Sequence, residues 1–209
     1  MDDSEGAAGE RKETRMKIKA LASLCSRAKQ IVLHERGTGL WIGDGRGLYR
    51  MPDALRMCDE GMVTAIFDVP PEKAADYHII HRKMPEAIST EDAEDGEEEL
   101  SFDLQRRVIF DGTDYLPLTS GDGRCYLIRT KYVKPLEDAE QLGFALRHRL
   151  AQIGEPYIAM KDGMFMVGVV AAVETGDEKT EGWAAEGWIN AVSLAMGAAR
   201  RFEAPPAGD

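Results

Sequence analysis

One stretch of the chain, residues 86–99, carries eight acidic residues and no basic residue. Like charges at this density repel one another, and the stretch has too few apolar side chains to form a core of its own. It accounts for most of the formal net charge of the 209-residue chain, which is −11. The stretch predicts an acidic linker or long exposed loop over residues 84–100, which divides the chain into two halves, 16–83 and 101–204.

The first half begins with a helical pattern and continues with short β-prone runs. Apolar side chains recur at the spacing of one helix face from Ile18 to Ala28, and Asp44-Gly45 is typical of a tight turn between two strands. The predicted elements are a helix over 17–29, a strand over 30–34, a hairpin with strands 40–42 and 47–51, a short helix from Pro52, and strands over 62–69 and 77–81.

The second half is richer in strands and ends on a predicted helix. Ala139, Leu142, Leu146, Leu150 and Ile153 form one stripe after Pro135 and predict a long helix. The remaining predicted elements are strands over 108–110, 115–118 and 125–133, a hairpin over 156–173 and a closing helix from Trp188 to Phe202, with acidic residues before it and basic residues at its end.

A four-residue phrase occurs in both halves. Gly43-Asp44-Gly45-Arg46 recurs as Gly121-Asp122-Gly123-Arg124, each time between two predicted strands and ahead of a proline and a helix. The repeat is either an internal duplication of a strand–turn–strand–helix–strand unit or two accidental Gly-rich turns. In both cases the chain is predicted to be an α+β protein, in which antiparallel β-hairpins or sheets pack with three or four helices.

The first fifteen residues are polar and lack a helical or strand pattern. Lys12-Glu13 can be encoded by AAG-GAG, which matches a bacterial ribosome-binding sequence, and Met16 directly precedes the first helical pattern. Residues 1–15 are therefore either a disordered tail or lie upstream of a natural start at Met16. They also lack the apolar core of a signal peptide, and no apolar run approaches the length of a membrane span, so a cytoplasmic protein without membrane contact is expected.

The charge of the chain and the positions of its cysteines and histidines argue against several kinds of binding site. An acidic chain argues against a general nucleic-acid-binding surface, because phosphate neutralisation needs clustered Lys and Arg. Cys25, Cys58 and Cys125 are widely separated and form no CxxC pair, which favours reduced thiols over a zinc site or a disulfide. His78 and His81 lie three apart in a β-prone run, so their side chains should point to opposite faces and share no metal. No cofactor, metal site or catalytic residue is predicted.

Three groups of residues remain as candidate sites. Lys131, Lys134, Arg147 and Arg149 form a basic patch that could meet phosphate or an acidic partner, or a solvated face of the long helix. Trp183 and Trp41 are candidate interface residues, since aromatic side chains are enriched at interface hot spots. Asp111, Asp114 and Asp122 could serve in acid/base chemistry or bind a divalent ion, although loops rich in Asp and Gly are mostly turns.

The run from Gly39 to Gly45, continuing to Leu48-Tyr49, and the 156–173 hairpin resemble uncharacterised prophage or integrative-element proteins of gut Firmicutes. The element order after Met16, the repeated turn and the acidic charge also resemble the two-domain layout of phage sliding clamps, but the second half lacks the opening helix and adds a closing one. The resulting expectation is a non-enzymatic binding or regulatory protein of a bacterial mobile element that binds a protein partner or itself. A sliding-clamp-like DNA replication accessory protein and an unrecognised hydrolase using the acidic residues are the alternatives.

Overall fold

The computed structural model describes residues 16–37, 39–55, 57–110, 112–149 and 156–172. Within these ranges there are three α-helices, three short 3₁₀ turns and eleven strands. The helices are α1 (Ile18–Ala28), α2 (Glu60–Ile66) and α3 (Pro71–Ala74), and the 3₁₀ turns are Asp53–Leu55, Thr130–Tyr132 and Lys134–Leu136. The strands are β1 (Gln30–Arg36), β2 (Gly39–Gly43), β3 (Gly47–Arg50), β4 (His78–Lys83), β5 (Glu98–Phe102), β6 (Val108–Phe110), β7 (Thr113–Thr119), β8 (Cys125–Arg129), β9 (Leu142–Arg147), β10 (Tyr157–Asp162) and β11 (Phe165–Ala171).

The strands form one mixed sheet, which confirms the α+β class. Its order is β4-β1-β2-β3-β11-β10-β9-β5-β7-β6, with β8 on β7. β4 runs parallel to β1, and the other pairs are antiparallel. β3 is hydrogen-bonded to β11, with Tyr49 opposite Gly168, so strands from the two halves of the sequence are neighbours in one sheet.

α1 covers one face of the sheet. Its buried residues are Leu21 and Cys25 of the predicted stripe and, beside them, Leu24. The helix ends where Lys29 adopts the left-handed conformation. These side chains join a large core cluster that includes Tyr49. Burial of this face fixes the register of the first strands, because a slip by one residue would turn their apolar side chains outward.

The acidic segment covers the opposite face. β4 and β5 are separated by six strands, so residues 84–97, here called the acidic strap, must cross about 34 Å at the usual strand spacing. Fourteen residues can span about 46 Å when extended, so the strap is long enough to cross with turns along its length. Met84 and Ile88 of the strap pack on the second core cluster, which contains Trp41 and Tyr157.

Two predicted elements are wrong. The long helix after Pro135 is instead a 3₁₀ turn followed by β9, because a spacing of four between Leu142 and Leu146 fits the period of a strand as well as that of a helix. Most of the predicted strand over 62–69 is α2. Asp59 caps the start of this helix, because its side chain accepts a hydrogen bond from the backbone N–H of Met62 at 2.8 Å.

Both repeated turns lie in hairpins, but they close differently. Gly43 pairs with Leu48 in the first, whereas Thr119 pairs with Cys125 in the second and leaves the whole repeated phrase in the loop. Gly45 and Gly123 share a positive φ, of 86° and 88°. Internal duplication therefore stays a prediction. The predicted tail over 1–15 and the closing helix lie outside the described residues.

Candidate functional site: the open edge of β4

A buried carboxylate lies in the first repeated turn. Oδ1 of Asp44 accepts hydrogen bonds from the backbone N–H groups of Arg46 and Gly47, both at 3.0 Å. Its Oδ2 accepts one from the hydroxyl of Tyr132 at 3.0 Å and lies 3.5 Å from Nζ of Lys131. Each carboxylate oxygen is thus engaged inside the protein, and Lys131 of the predicted basic patch is directed towards Asp44.

The cysteine thiol and the two tyrosine hydroxyls around this carboxylate are held in their protonated forms. Burial, with the charge of Asp44, raises the pKa of the Cys25 thiol to about 12 and the pKa of the Tyr49 and Tyr132 hydroxyls above the ordinary tyrosine value. The thiolate is the nucleophilic form of cysteine, so Cys25 is chemically inert at neutral pH. This cluster is built to stabilise the junction of the first hairpin with the Thr130–Tyr132 turn.

The second buried cluster centres on Arg147 of β9. Its side chain is 0% exposed, and its Nε and Nη2 both donate to Oε2 of Glu97, at 2.8 and 2.5 Å. Nη1 lies 3.6 Å from Oε2 of Glu94, and Lys161 of β10 donates to the other oxygen of Glu97. Burial alone would raise the pKa of the Glu97 carboxyl, but the hydrogen bonds from Lys161 and Arg147 outweigh it and lower the pKa.

Further bonds fix the strap along its length. Arg147 also donates to the backbone carbonyls of Glu91 and Asp92, at 2.9 and 3.4 Å. The carboxylate of Asp92 accepts from the N–H of Met166 at 2.9 Å. The Tyr157 hydroxyl accepts from the N–H of Ser89 at 3.1 Å and donates to its carbonyl at 3.4 Å. The carboxylates of Asp92 and Glu97 thus hold the strap on the sheet.

The residues of the predicted basic patch are not brought together in one cluster. Lys131 lies at Asp44 and Arg147 at Glu97, whereas Lys134 is exposed in its 3₁₀ turn and Arg149 is half-buried after β9. The prediction that Arg147 lies on a solvated helix face is wrong, because β9 runs between β10 and β5 and its side chain lies under the strap.

The remaining candidates are also dispersed. Trp41 is 2% exposed within the second core cluster, so in this chain it contributes to packing. Asp114 lies near the start of β7 and Asp122 beyond its end, so at least about 17 Å of strand separates them. Trp183 and Asp111 lie outside the described residues. Among the described residues, no group of three or more His, Cys, Asp or Glu side chains is placed to hold a metal ion.

β4 is the terminal strand of the sheet, and its backbone has an open side. The N–H of His78 donates to the carbonyl of Lys29 at 2.9 Å, and the N–H of Met84 donates to the carbonyl of Glu35 at 2.8 Å. Because backbone groups alternate along a strand, the N–H and C=O groups of Ile79 and His81 point away from β1. Among the described strands, none pairs with this side.

The side chains of β4 make this edge basic. The strand reads His78-Ile79-Ile80-His81-Arg82-Lys83 and contains no acidic residue. Arg82 and Lys83 are exposed, and Nε2 of His81 lies 2.8 Å from Oε1 of Glu35 on β1. The carbonyl of Lys83 accepts a hydrogen bond from Nδ1 of His34 at 3.2 Å. The backbone N–H of Lys83 points outward, like those of Ile79 and His81.

The sequence predicted the strand but not its place at the edge. The signal that could have found it is the run of basic residues at its end, since natural edge strands are often marked by charged side chains, lysine above all. The same basic run disfavours pairing of the edge with the strands of other protein molecules in general. The charge and the outward-facing backbone together therefore determine which peptide can add to β4.

Comparisons with family models, curated proteins and solved structures find no match for this chain. In the part of the chain that the structure describes, no helix has the length and apolar character needed to cross a bilayer.

Proposed function

We propose that this chain is a non-enzymatic binding or regulatory protein that recognises a protein partner by adding a strand to β4. The observation that carries the proposal is the outward-facing backbone of Ile79 and His81 on the terminal strand. A peptide that adds to a sheet edge gains main-chain hydrogen bonds, and the side chains beside it determine which peptide is accepted. The resemblance to proteins of mobile elements suggests a partner encoded by the host or by the element.

A binding role also agrees with how the described polar groups are used. The carboxylates of Asp44 and Glu97 are each held by several donors, and burial keeps the Cys25 thiol protonated. Groups committed in this way support the fold and are poorly suited to act on a substrate. The β4 edge, in contrast, presents exposed charge and a backbone side with which none of the described strands pairs.

The test is whether an extended peptide protects the β4 amides from exchange. Hydrogen–deuterium exchange of the full chain, with and without a panel of strand-forming peptides, should show protection at Ile79, His81 and Lys83. His81→Pro removes the central outward N–H and should abolish the protection. His81→Ala keeps that N–H and is the matched control, and protection that survives in the proline variant would contradict the proposal.

Self-association is the second candidate, because the sheet is open at both ends. β8 pairs with β7 alone among the described strands, so β4 of one copy could pair with β8 of the next. Such a head-to-tail contact builds a ring when it closes and a filament when it does not. Analytical ultracentrifugation of the wild type and His81→Pro distinguishes these forms from a monomer, and a closed ring would favour the sliding-clamp-like function.

A further inference from the structure

We infer that the β4 edge selects an extended acidic segment, with carboxylates opposite Arg82 and Lys83 and small or β-branched apolar residues opposite Ile79 and Ile80. The inference rests on the proposed function, since it names the partner class of the same edge. It is argued from the charge of β4, from the alternation of its side chains, and from the way the protein's own acidic strap is held elsewhere.

Positive charge is concentrated at the end of β4. Arg82 and Lys83 are both exposed, and no ion-pair partner for them lies among the described residues. The carboxylate of Glu35, on the neighbouring strand, lies at His81. Among the described residues, these two positive charges have no ion-pair partner, in a chain whose net charge is −11.

The two charges lie on opposite faces of the sheet. Ile80 pairs with Val32 and packs on the strap-side cluster, so Arg82, two residues on, lies on that face as well. Ile79 packs on the cluster covered by α1, so Lys83 lies on the helix side. An added strand also alternates its side chains, so two consecutive acidic residues would place one carboxylate near each charge.

Opposite the first half of β4, the added segment needs apolar side chains instead of acidic ones. Ile79 and Ile80 are half-buried, so part of their apolar surface stays open at the edge. Cross-strand neighbours of β-branched type bury such surface well. The edge therefore favours a short segment with an apolar half and an acidic half.

The acidic strap is not free to occupy this edge itself. The strap begins at Met84, directly after β4, and the backbone N–H of Met84 donates to the carbonyl of Glu35 on β1. Further along, Glu97 is held by Arg147 and Lys161 on β9 and β10. The strap is therefore not the occupant of the β4 edge.

The experiment measures fluorescence anisotropy of labelled, end-blocked peptides with the palindromic sequences VVTEETVV, VVTQQTVV and VVTKKTVV, titrated with the full chain. The palindrome presents the same side chains in parallel and antiparallel docking. At low salt the acidic peptide should bind about tenfold more tightly than the uncharged one, from two cross-strand charge pairs, and the basic peptide should bind most weakly. High salt should reduce the difference, because exposed charges are screened.

A charge-reversed edge gives the sharpest comparison. The double variant Arg82→Glu, Lys83→Glu should reverse the order, so that the basic peptide binds most tightly. The variant Lys19→Glu, Lys134→Glu changes two exposed lysines away from the edge by the same total charge and should keep the wild-type order. Circular dichroism confirms that each variant is folded before it is titrated.

The outcomes separate this inference from the proposed function. Equal binding of the three peptides, lost in His81→Pro, would overturn acidic selection and leave edge docking intact. No binding of any peptide to the folded wild type would overturn both. A single-stranded oligonucleotide that competes with the acidic peptide and also loses binding on charge reversal would show that the edge reads phosphate, and would overturn the peptide assignment.

Discussion

Arg147 and Glu97 lie fifty positions apart in sequence, yet two nitrogens of the Arg147 guanidinium donate to one oxygen of the Glu97 carboxylate, at 2.8 and 2.5 Å. The contact joins β9 to the last residue of the acidic strap. A buried guanidinium is stable only when its donors are satisfied, and here a carboxylate, two backbone carbonyls and the sulfur of Met166 accept them. The most acidic segment of the chain is thereby made part of the fold.

Arg147→Met should destabilise the protein by about 3 kcal/mol, because it leaves the carboxylates of Glu94 and Glu97 and two backbone carbonyls facing an apolar side chain. Urea unfolding followed by circular dichroism measures the change. Arg82→Met, which removes an exposed arginine, is the control and should stay within about 0.5 kcal/mol of wild type. A loss in Arg147→Met as small as that of the control would show that the strap is not anchored there.

Because of the ion pairs of Glu97, the free energy of unfolding should decrease at acidic pH. The pKa of Glu97 is lowered below its ordinary value of 4.5, so on acidification the unfolded chain takes up this proton before the folded chain does. The stabilisation is fully present above pH 4.5 and is lost as the pH falls through the folded-state pKa.

Glu97→Gln should therefore lower stability at neutral pH and flatten its decline below pH 4.5. Urea unfolding at a series of pH values measures both effects. Glu99→Gln removes an exposed carboxylate two positions away and should leave the wild-type profile nearly unchanged. Parallel profiles for the wild type and Glu97→Gln would refute the assignment.

Short-range patterns in the sequence predict several elements of the fold. The structure confirms the stripe of α1, the hairpin around Asp44-Gly45, the hairpin predicted over 156–173 and the β-prone run at His78. Each of these patterns is contained within a few neighbouring residues. Such signals depend on side-chain period and turn chemistry, which a short window of sequence records.

The error over β9 arose because its deciding contact is distant, whereas the Asp59 cap of α2 is a local signal. Leu142 and Leu146 satisfy both helix and strand spacing, and only the pairing of β9 with β10 and β5 decides between them. The role of Arg147 depends on Glu97, and the exposure of β4 depends on its position at the end of the sheet order. The basic run at the end of β4 is a local sign of an edge strand, but a short window of sequence does not give the strand order of the sheet.

Tyr132→Phe should cost about 2 kcal/mol, since it removes a hydroxyl that donates to the buried carboxylate of Asp44 at 3.0 Å. Tyr77→Phe is the matched control, because the Tyr77 hydroxyl bonds Ser26 at 3.0 Å at the exposed surface and its loss should cost less than about 1 kcal/mol. Thermal unfolding compares the two variants. Equal losses would mean that Asp44 is satisfied without Tyr132.

The repeated turns offer a test in which sequence is nearly constant and packing is not. A Cβ added at Gly43 would lie 1.7 Å from the carbonyl oxygen of Gly47, and backbone on both sides of a hairpin cannot move apart without breaking the strand pair. A Cβ added at Gly121, the same position of the second copy, meets no atom closer than Oε1 of Glu98 at 3.9 Å. Gly43→Ala should therefore cost about 3 kcal/mol or prevent folding, whereas Gly121→Ala should stay within about 0.5 kcal/mol of wild type. Expression yield and urea unfolding of the two variants measure the difference, and similar losses would contradict the close approach of Gly43 to the backbone of Gly47.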